Sequence, residues 1–473
     1  MFKNKILTVQ ESKKLTLNET KSLYNRHVNP GLAQSLNGFS FGQDQIVKAE
    51  NFTLTTKNKR KIIDFTGGLG VLNFGHNASN ILNERIKFQK EKRMEVHKNF
   101  FSQYTAALSH NLAQLFSQKL NYSFFCNSGA EAVDGAIKMA YKYHSGKRKL
   151  ILHSDIAFHG KLLSSMSVSA DRENTFNFPK INFGKSFKYN DIKSLKSTIK
   201  KYKSSNIFAI IIEPFSASTY KNCSNEFLNE CINLGKKYDI KIIFDEIYTG
   251  FGKTGHNFYF QRYKKIHPNI LILSKSFGGG KSSISGYISD NDTFKNSYGN
   301  LNDALIHTTS YNGFGEECVT AIESINTLVK KKLSNKAKNI ENKYLQKFKE
   351  LKKNYPEKIK DIQGCGCMIS LSLHKKYIKL RRVQKIIKFS ILKDEKFIDK
   401  LLAGMMLDKL YKEFGILATL KYNREVLLCL EPPLTIDDKS MNKCLNAIES
   451  ILKLNLNIEL RKFILRVVKR KIF

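Results

Sequence analysis

The chain has 473 residues, 41% hydrophobic and 25% charged, which is ordinary for a globular protein with one large core or two to three domains. No segment approaches the roughly 18–20 uninterrupted apolar residues that a membrane-spanning helix needs, and the N-terminus lacks the apolar run of a secretory signal. We therefore expect a cytoplasmic chain with no membrane span. Its cysteines are expected to be reduced, and no metal site is predicted, because Cys365 and Cys367 lack a second pair at a metal-ligand spacing.

The net charge of +38 results from 79 Lys and Arg residues against 41 Asp and Glu residues. Such a charge would attract nucleic acid, an anionic membrane surface or an acidic protein partner. The basic residues are spread along the chain, although 374–389 and 460–473 are denser. This spread favours a solvated surface that reflects composition, so no specific nucleic-acid partner is predicted. An acidic carrier protein would also fit the charge, but no motif specifies one.

The N-terminal part of the chain is polar. Its segment GLAQSLNGFSFGQDQIVKAE (31–50) suggests short strands and turns. The next segment, KIIDFTGGLGVLNFGHN (61–77), predicts a strand that enters a glycine-rich turn.

Apolar segments alternate with helical patterns between about residues 120 and 320. The strand candidates are 123–127, 149–154, 207–215, 240–246 and 269–276. Because they are apolar without alternation and helices separate them, they predict a parallel sheet covered on both faces. One long charged helix is predicted over 322–354, followed by a mixed α/β segment.

The first candidate site is the turn between the 123–127 strand and the helix that is predicted to start near Glu131. Ser128, Gly129 and Ala130 are small, so they leave backbone N–H groups uncovered at a helix N-terminus, which suits an anion such as phosphate. An ordinary turn in which Ser128 caps the helix explains the same residues equally well.

The second candidate site is the end of the 240–246 strand, where Asp245 and Glu246 follow an apolar run. Parallel sheets place their ligand sites at this end. A buried carboxylate there needs a cationic partner, and a pyridinium nitrogen would be one. The alternative is an Asp that caps a helix.

The third candidate site is LILSKSFGGGKSSISGYI (271–288). Lys275 follows a buried strand and precedes three glycines, and its partial desolvation would make the amine available for a Schiff base. Lys281 lies beyond the glycines and is expected to be exposed. A lysine beside glycines could also bind phosphate. In chain order, the three sites would suit one cofactor that has a phosphate, a pyridine nitrogen and an aldehyde.

From about residue 30 to 450, the sequence resembles the class III, or omega, aminotransferases, which are pyridoxal-phosphate enzymes of fold type I. The resemblance is carried by NSGAEAVDGAIKMA, AFHGKLLSSMS, IIEPF, FDEIYTGFGKTG, LSKSFGGG and HTTSYNGFGEEC. It implies an α/β fold: a large domain with a mostly parallel seven-stranded sheet flanked by helices, and a small α+β domain formed by the chain ends. We expect boundaries at 1–70, 71–325 and 326–473.

The same resemblance implies a role for each matched residue. Lys275 would hold the cofactor and carry the proton of the reaction, and Asp245 would pair with the pyridinium nitrogen. Ile247 and Phe158 would pack on the two faces of the ring. Glu213 matches an active-site glutamate of the family.

The phosphate would be held by Gly129 and Ala130 together with Ser128. In the family, a hydroxyl of the neighbouring subunit completes this site. Ser310 matches that hydroxyl best and Thr309 is the alternative, so a homodimer is expected.

Two departures from the family pattern concern the substrate. Tyr248 stands where many members have a glutamine that binds the phenolic oxygen of the cofactor. Cys429 stands where many members have an arginine that grips the α-carboxylate of the substrate. Arg424 is nearby in sequence but would need a different backbone path.

The resulting expectation is an aminotransferase that moves an amino group from a small-molecule donor to a carbonyl acceptor, not with a standard α-amino acid and α-keto acid on both sides. An aminomutase, decarboxylase or epimerase of the same fold is the main alternative. A basic binding protein without catalytic activity is a remote one.

Overall fold

A computed structural model describes residues 6–96, 99–170, 178–375 and 396–470 of the chain. The basic segment 374–389 lies almost entirely outside the described residues, as do the last three residues of 460–473. In the described ranges, no helix combines the length and the apolar character that crossing a membrane requires.

Within the described ranges, fifteen strands and a larger number of helices make up the fold. The strands are β1 Ile46–Glu50, β2 Thr53–Thr56, β3 Lys61–Asp64, β4 Tyr122–Cys126, β5 Leu150–Ser154, β6 Gly184–Phe187, β7 Ile207–Ile212, β8 Lys241–Asp245, β9 Ile270–Leu273, β10 Ser285–Ser289, β11 Ile359–Cys365, β12 Met368–Leu373, β13 Ile416–Leu417, β14 Thr419–Lys421 and β15 Leu427–Leu430. The α-helices are Val9–Lys14, Leu17–Leu23, Pro30–Gly38, Gly67–Gly70, Ser79–Lys90, Gln103–Leu115, Gly129–Tyr143, Leu163–Ser167, Ile192–Tyr202, Asn225–Tyr238, Asn291–Tyr298, Gly315–Lys330, Leu333–Ile340, Gln346–Asn354, Phe397–Phe414, Asp438–Lys453 and Leu456–Lys469.

A seven-stranded sheet with the order β4-β10-β9-β8-β7-β5-β6 forms the centre of the molecule. β10 runs antiparallel to both of its neighbours, and the other pairs are parallel. Every residue of β7, β8 and β9 is buried, because helices cover both faces of the sheet. The predicted mostly parallel, seven-stranded α/β fold is confirmed.

Two smaller sheets contain the remaining strands, in the orders β1-β2-β3-β13 and β11-β12-β15-β14. In the first of them, β13 pairs in parallel with β3, so that Ile416 faces Ile63. This pairing brings the two ends of the chain together. The domain boundaries at 1–70, 71–325 and 326–473 stay a prediction.

The prediction of one long helix over 322–354 is wrong. Residue 322 lies in the helix Gly315–Lys330, which ends at Lys330. Lys332 then adopts a left-handed conformation with φ of 47°. A new helix, Leu333–Ile340, begins there and buries Leu333. The break therefore turns the chain back toward the core, which a straight helix would have left.

The prediction of strands and turns over 31–50 is only partly right. Residues Pro30–Gly38 form a helix, whose first turn is stabilised by proline at its first position and by the Asn29 side chain, which accepts a hydrogen bond from Leu32 N. The strand Ile46–Glu50 is present as predicted. The strand and glycine-rich turn predicted over 61–77 are also present.

The centre of the sheet should account for much of the stability. Ile210 in β7 has no exposed surface, so Ile210→Ala is expected to lower the free energy of unfolding by about 2–5 kcal/mol, since it leaves a cavity in the core. Ile458→Ala is the matched control, because Ile458 is 52% exposed, and it should change stability by less than about 0.5 kcal/mol. Urea unfolding measures both, and equal effects of the two substitutions would contradict this description of the core.

Candidate active site

A cavity of about 460 Å³ lies at the carboxyl ends of the central strands. This is the edge where parallel sheets place their ligands. The lining residues are Leu69, Gly129, Ala130, Phe158, His159, Gly160, Lys161, Glu213, Phe215, Ala217, Ser218, Asp245, Ile247, Tyr248, Ser274, Lys275, Leu420, Lys421, Tyr422 and Asn423. The segments after β4, β5, β8 and β9 thus converge on one volume, together with β14 from the smaller sheet.

Asp245 is the last residue of β8 and is 5% exposed. Its Oδ2 lies 2.7 Å from Nδ1 of His159, and its Oδ1 accepts a hydrogen bond of 3.0 Å from the backbone N–H of Ile247. The backbone N–H of His159 in turn donates to Ser169 Oγ at 2.9 Å. The carboxylate is therefore held rigidly at the wall of the cavity.

Lys275 follows β9 and adopts a left-handed conformation with φ of 52°. The turn is fixed on both sides, because Ser274 Oγ lies 2.6 Å from Ser285 Oγ and Ser276 Oγ donates to the backbone oxygen of Gly70 at 2.9 Å. Burial lowers the pKa of Lys275 to about 8, although the nearby Asp245 carboxylate opposes this. The side chain lines the cavity.

Lys281, the competing lysine, does not line this cavity. Its Nζ donates to Asn77 Oδ1 at 2.7 Å. It is half-buried rather than exposed as expected, and the contact with Asn77 is the reason.

The small-residue turn after β4 begins the helix Gly129–Tyr143, two residues earlier than predicted. Ser128 Oγ accepts the backbone N–H of Glu131 at 3.3 Å, and the backbone N–H of Ser128 donates to the Glu131 carboxylate at 2.7 Å. Ser128 is therefore the helix cap and lies off the cavity, whereas Gly129 and Ala130 line it. The turn serves as a cap and at the same time presents a helix N-terminus to the cavity.

Gly129 allows Ile247 to pack closely against this turn. A Cβ atom at residue 129 would lie 2.9 Å from Cδ1 of Ile247, so the end of that side chain would have to shift. Both residues line the cavity.

Glu213 is 5% exposed and holds the loop that carries Phe158. Its carboxylate accepts the backbone N–H groups of Phe158 at 2.9 Å and Ala217 at 3.1 Å. Burial raises the pKa of Glu213 to about 7. In this structure Glu213 positions Phe158 at the cavity, where both side chains are part of the lining.

Glu246, next to Asp245, has a different environment. It is fully buried and accepts the backbone N–H groups of Tyr259 at 2.6 Å and Phe260 at 2.8 Å. Thr249 Oγ1 also donates to it at 2.9 Å. The second carboxylate therefore fastens a neighbouring loop and does not line the cavity.

Thr309 and Ser310 do not line the cavity of their own chain. Thr309 Oγ1 accepts the backbone N–H of Tyr311 at 3.2 Å, and Ser310 is exposed. Large apolar side chains around them are also exposed, including Leu305 at 81% and Ile306 at 55%.

The positions that depart from the family pattern are occupied in specific ways. Tyr248 lines the cavity, and its hydroxyl accepts a hydrogen bond of 2.6 Å from Lys421 Nζ. Cys429 is fully buried and does not line the cavity. Arg424 also lies outside it and donates to the backbone oxygen of Asp155.

Several lining residues were not singled out from the sequence, and His159 and Lys421 are the two whose contacts matter most to the site. His159 stands beside Phe158 in the FHG segment, and that adjacency was the one signal for it. Lys421 lies in a three-residue strand whose pattern carries no signal.

A family model described as Aminotransferase class-III matches residues 41–452. The chain belongs to this family. Among solved structures, the ornithine aminotransferase of Toxoplasma gondii has 21% identity and a TM-score of 0.78, covering 94% of this chain and 98% of that one. A transaminase from the marine bacterium Virgibacillus has 20% identity and a TM-score of 0.75, covering 89% and 94%. An (S)-enantioselective omega-transaminase from Thermomicrobium roseum has 21% identity and a TM-score of 0.74, covering 86% and 91%. At these identities the likeness concerns the fold.

Class III aminotransferases depend on pyridoxal phosphate, and the residues of this cavity fit that group. Its volume falls within the range of about 300–1,000 Å³ typical of cofactor and small-molecule sites. Asp245 offers a buried carboxylate, the Gly129–Ala130 turn offers a helix N-terminus, and Lys275 offers an amine with a lowered pKa. Among the described residues, no cluster of His, Cys, Asp and Glu could hold a metal ion.

The lowered pKa of Lys275 can be tested in the cofactor-free protein. Acetylation of its amine by acetic anhydride should rise with pH to a midpoint at about 8, because only the neutral amine is nucleophilic. The exposed Lys193 on the helix Ile192–Tyr202 is the internal reference, and mass spectrometry of the two peptides gives the ratio. A Lys275 profile that ran parallel to that of Lys193 from pH about 6 to about 10 would contradict the desolvation described above.

Proposed function

We propose that this class III aminotransferase transfers an amino group from a small-molecule amino donor to a carbonyl acceptor, with Lys275 and Asp245 as its catalytic residues. The proposal rests mainly on one observation: Lys275, Asp245 and the N-terminus of the helix Gly129–Tyr143 meet at a single cavity. These are an amine, a carboxylate and an anion-binding turn, and one pyridoxal phosphate has a matching group for each.

Bound pyridoxal phosphate supplies an electron sink that makes the proton on the amino-bearing carbon of a substrate removable. Lys275 takes up that proton and returns it. A pKa of about 8 suits this role, because an amine that is partly neutral near physiological pH can act as a base and, once protonated, as an acid.

Asp245 supports the electron sink through its charge. An ionised carboxylate favours the protonated form of a ring nitrogen placed against it. The hydrogen bonds from His159 and from the backbone N–H of Ile247 hold Asp245 in place. His159 therefore acts as a positioning residue.

The remaining lining residues bind and orient the cofactor. Ile247 and Phe158 offer apolar surface for the two faces of a ring, and Glu213 positions Phe158. The backbone N–H groups of Gly129 and Ala130 hold the phosphate. Ser128 contributes as the cap of the same turn.

A second copy of the chain completes the phosphate site in this proposal. Ser310, or Thr309 beside it, lies away from the cavity of its own chain. Exposed Leu305 and Ile306 flank this segment and suit a protein interface, because large apolar side chains gain from burial. The homodimer would act in the cytoplasm.

The substrate pair is not a standard α-amino acid and α-keto acid on both sides. The buried thiol of Cys429 offers no guanidinium to a carboxylate. Arg424 is engaged by the backbone oxygen of Asp155 outside the cavity. Amino donors other than standard α-amino acids are therefore included among the candidates.

The test is a half-reaction of the protein loaded with pyridoxal phosphate. Its absorbance at about 420 nm should be replaced by a band at about 330 nm when a productive amino donor is added, because nitrogen passes to the cofactor. Lys275→Ala should slow this conversion by at least about 100-fold, since general acid–base catalysis is lost, whereas Lys193→Ala should not change it.

No conversion with any amine or amino acid would overturn the proposal. A nitrogen-15 amino group that returned to the carbon skeleton of its own donor would indicate an aminomutase, and loss of carbon dioxide or inversion of the donor would indicate a decarboxylase or an epimerase.

A further inference from the structure

A group of charged and aromatic residues lies at one wall of the cavity and in the protein interior behind it. We refer to Tyr248, Lys253, Lys421 and Glu431 as the Lys421 cluster. Lys421 Nζ donates to the hydroxyl of Tyr248 at 2.6 Å and lies 2.7 Å from Glu431 Oε1. Lys421 and Tyr248 line the cavity, whereas Glu431 is fully buried behind them. The cluster therefore presents an ammonium group to the cavity and keeps its carboxylate away from it.

The carboxylate has a second cationic neighbour. Burial by itself would raise the pKa of Glu431, but Lys421 and Lys253 together lower it below its usual value. Lys253 is 1% exposed, and its Nζ has no hydrogen-bond partner among the described residues. Burial lowers the pKa of Lys253 itself, and the Glu431 carboxylate opposes this. Glu431 thus keeps Lys253 as a second basic neighbour when Lys421 turns toward another anion.

The ammonium of Lys421 is held in one position by its neighbours, unlike that of a lysine on the protein surface. Its side chain is 15% exposed. Its Nζ lies 3.8 Å from the centroid of the Tyr248 ring and 4.8 Å from that of Tyr220, which are favourable cation–π distances. A lysine ammonium has three N–H donors, and the two oxygen acceptors above leave one donor for a ligand in the cavity.

This ammonium is close to the proposed catalytic lysine. Nζ of Lys275 lies 5.2 Å from the centroid of the Tyr248 ring, and Nζ of Lys421 lies 3.8 Å from the same centroid. The distance between the two nitrogen atoms therefore cannot exceed the sum of these two distances. A short substrate whose amino-bearing carbon is at Lys275 could therefore extend to Lys421. Cys429 lies in β15, which pairs with β14 so that Thr419 faces Cys429. Lys421 is also in β14, so the strand next to the neutral Cys429 supplies a cation.

We infer that Lys421 binds the carboxylate of the substrate and thereby makes the enzyme select amino acids and oxo acids over simple amines. This inference rests on the proposed function and specifies its substrate class. A desolvated ammonium that faces a cavity is stabilised by an anion, and a carboxylate accepts its third N–H in a charge-assisted hydrogen bond. Lys421 would give up part of its contact with Glu431 when the substrate binds, while Lys253 stays near that carboxylate.

The test compares donors that differ only by a methyl group in place of the carboxylate. The pairs are alanine with isopropylamine, β-alanine with propylamine, and 4-aminobutanoate with butylamine. For each pair, kcat/KM of the half-reaction is measured in the holoenzyme, and the ratio of the acid to its amine is the readout. In the wild type at least one ratio should exceed about 10, as expected for a hydrogen bond to a charged group.

Lys421→Met should lower that ratio by about 10- to 100-fold, chiefly through KM. Because Lys421→Met leaves Glu431 with one cation fewer, the double variant Lys421→Met with Glu431→Gln removes both charges and should lose the ratio in the same way. Lys421→Arg retains a cation and should keep most of the ratio, which a purely structural role for the ammonium would not predict. Lys193→Met is the exposed control and should leave every ratio unchanged.

Calorimetry with butanoate provides a readout that does not require turnover. Butanoate should bind the wild-type holoenzyme and bind the double variant at least about 10-fold more weakly. Ratios and butanoate affinity that stay at wild-type levels in a folded double variant would overturn the inference, as would a wild type with no preference for acids and no butanoate binding. If no donor reacts but butanoate binds in a Lys421-dependent way, the proposed function fails and the carboxylate site stands.

Discussion

The candidate site depends on one buried carboxylate being held by hydrogen bonds at the end of β8. A carboxylate at that depth loses its hydration, which is costly unless other polar groups replace the water. Asp245 has the imidazole of His159 at 2.7 Å and the backbone N–H of Ile247 as such groups. The loop that carries His159 is in turn anchored by Ser169 and by the carboxylate of Glu213. These polar contacts together hold the Asp245 carboxylate at the cavity wall.

The parallel sheet brings other functional groups to the same cavity as this carboxylate. The parallel strands end at the same edge of the sheet. The turn after β4, Asp245 at the end of β8 and Lys275 after β9 therefore reach one cavity, although they are far apart in the chain. The buried strands also remove water from around Lys275, which lowers its pKa to about 8. This amine and the ammonium of Lys421, to which we assign the substrate carboxylate, both lie near the ring of Tyr248. Lys275 thus carries out the proposed proton transfer, and Lys421 carries out the proposed substrate selection.

The sequence predicts those site residues that stand next to a strong apolar pattern, and it does not predict the others. Asp245 ends one apolar strand and Lys275 lies two residues after the end of another, so both the sheet and its edge were predictable. His159 acts through contact with Asp245 across 86 positions of the chain, and Lys421 lies in a three-residue strand, so no local periodicity points to either. The helix predicted over 322–354 failed because the backbone of Lys332 reverses hand, which composition does not reveal.

The state of the cofactor nitrogen tests the central claim most directly. The wild-type holoenzyme and Asp245→Asn would be loaded with pyridoxal phosphate that carries nitrogen-15 in the ring, and their nitrogen NMR shifts compared at the same pH. We predict the shift of a protonated ring nitrogen in the wild type and that of an unprotonated one in Asp245→Asn, because the amide that replaces the carboxylate carries no negative charge. The same shift in both proteins would contradict the account, since the ring nitrogen would then not depend on Asp245.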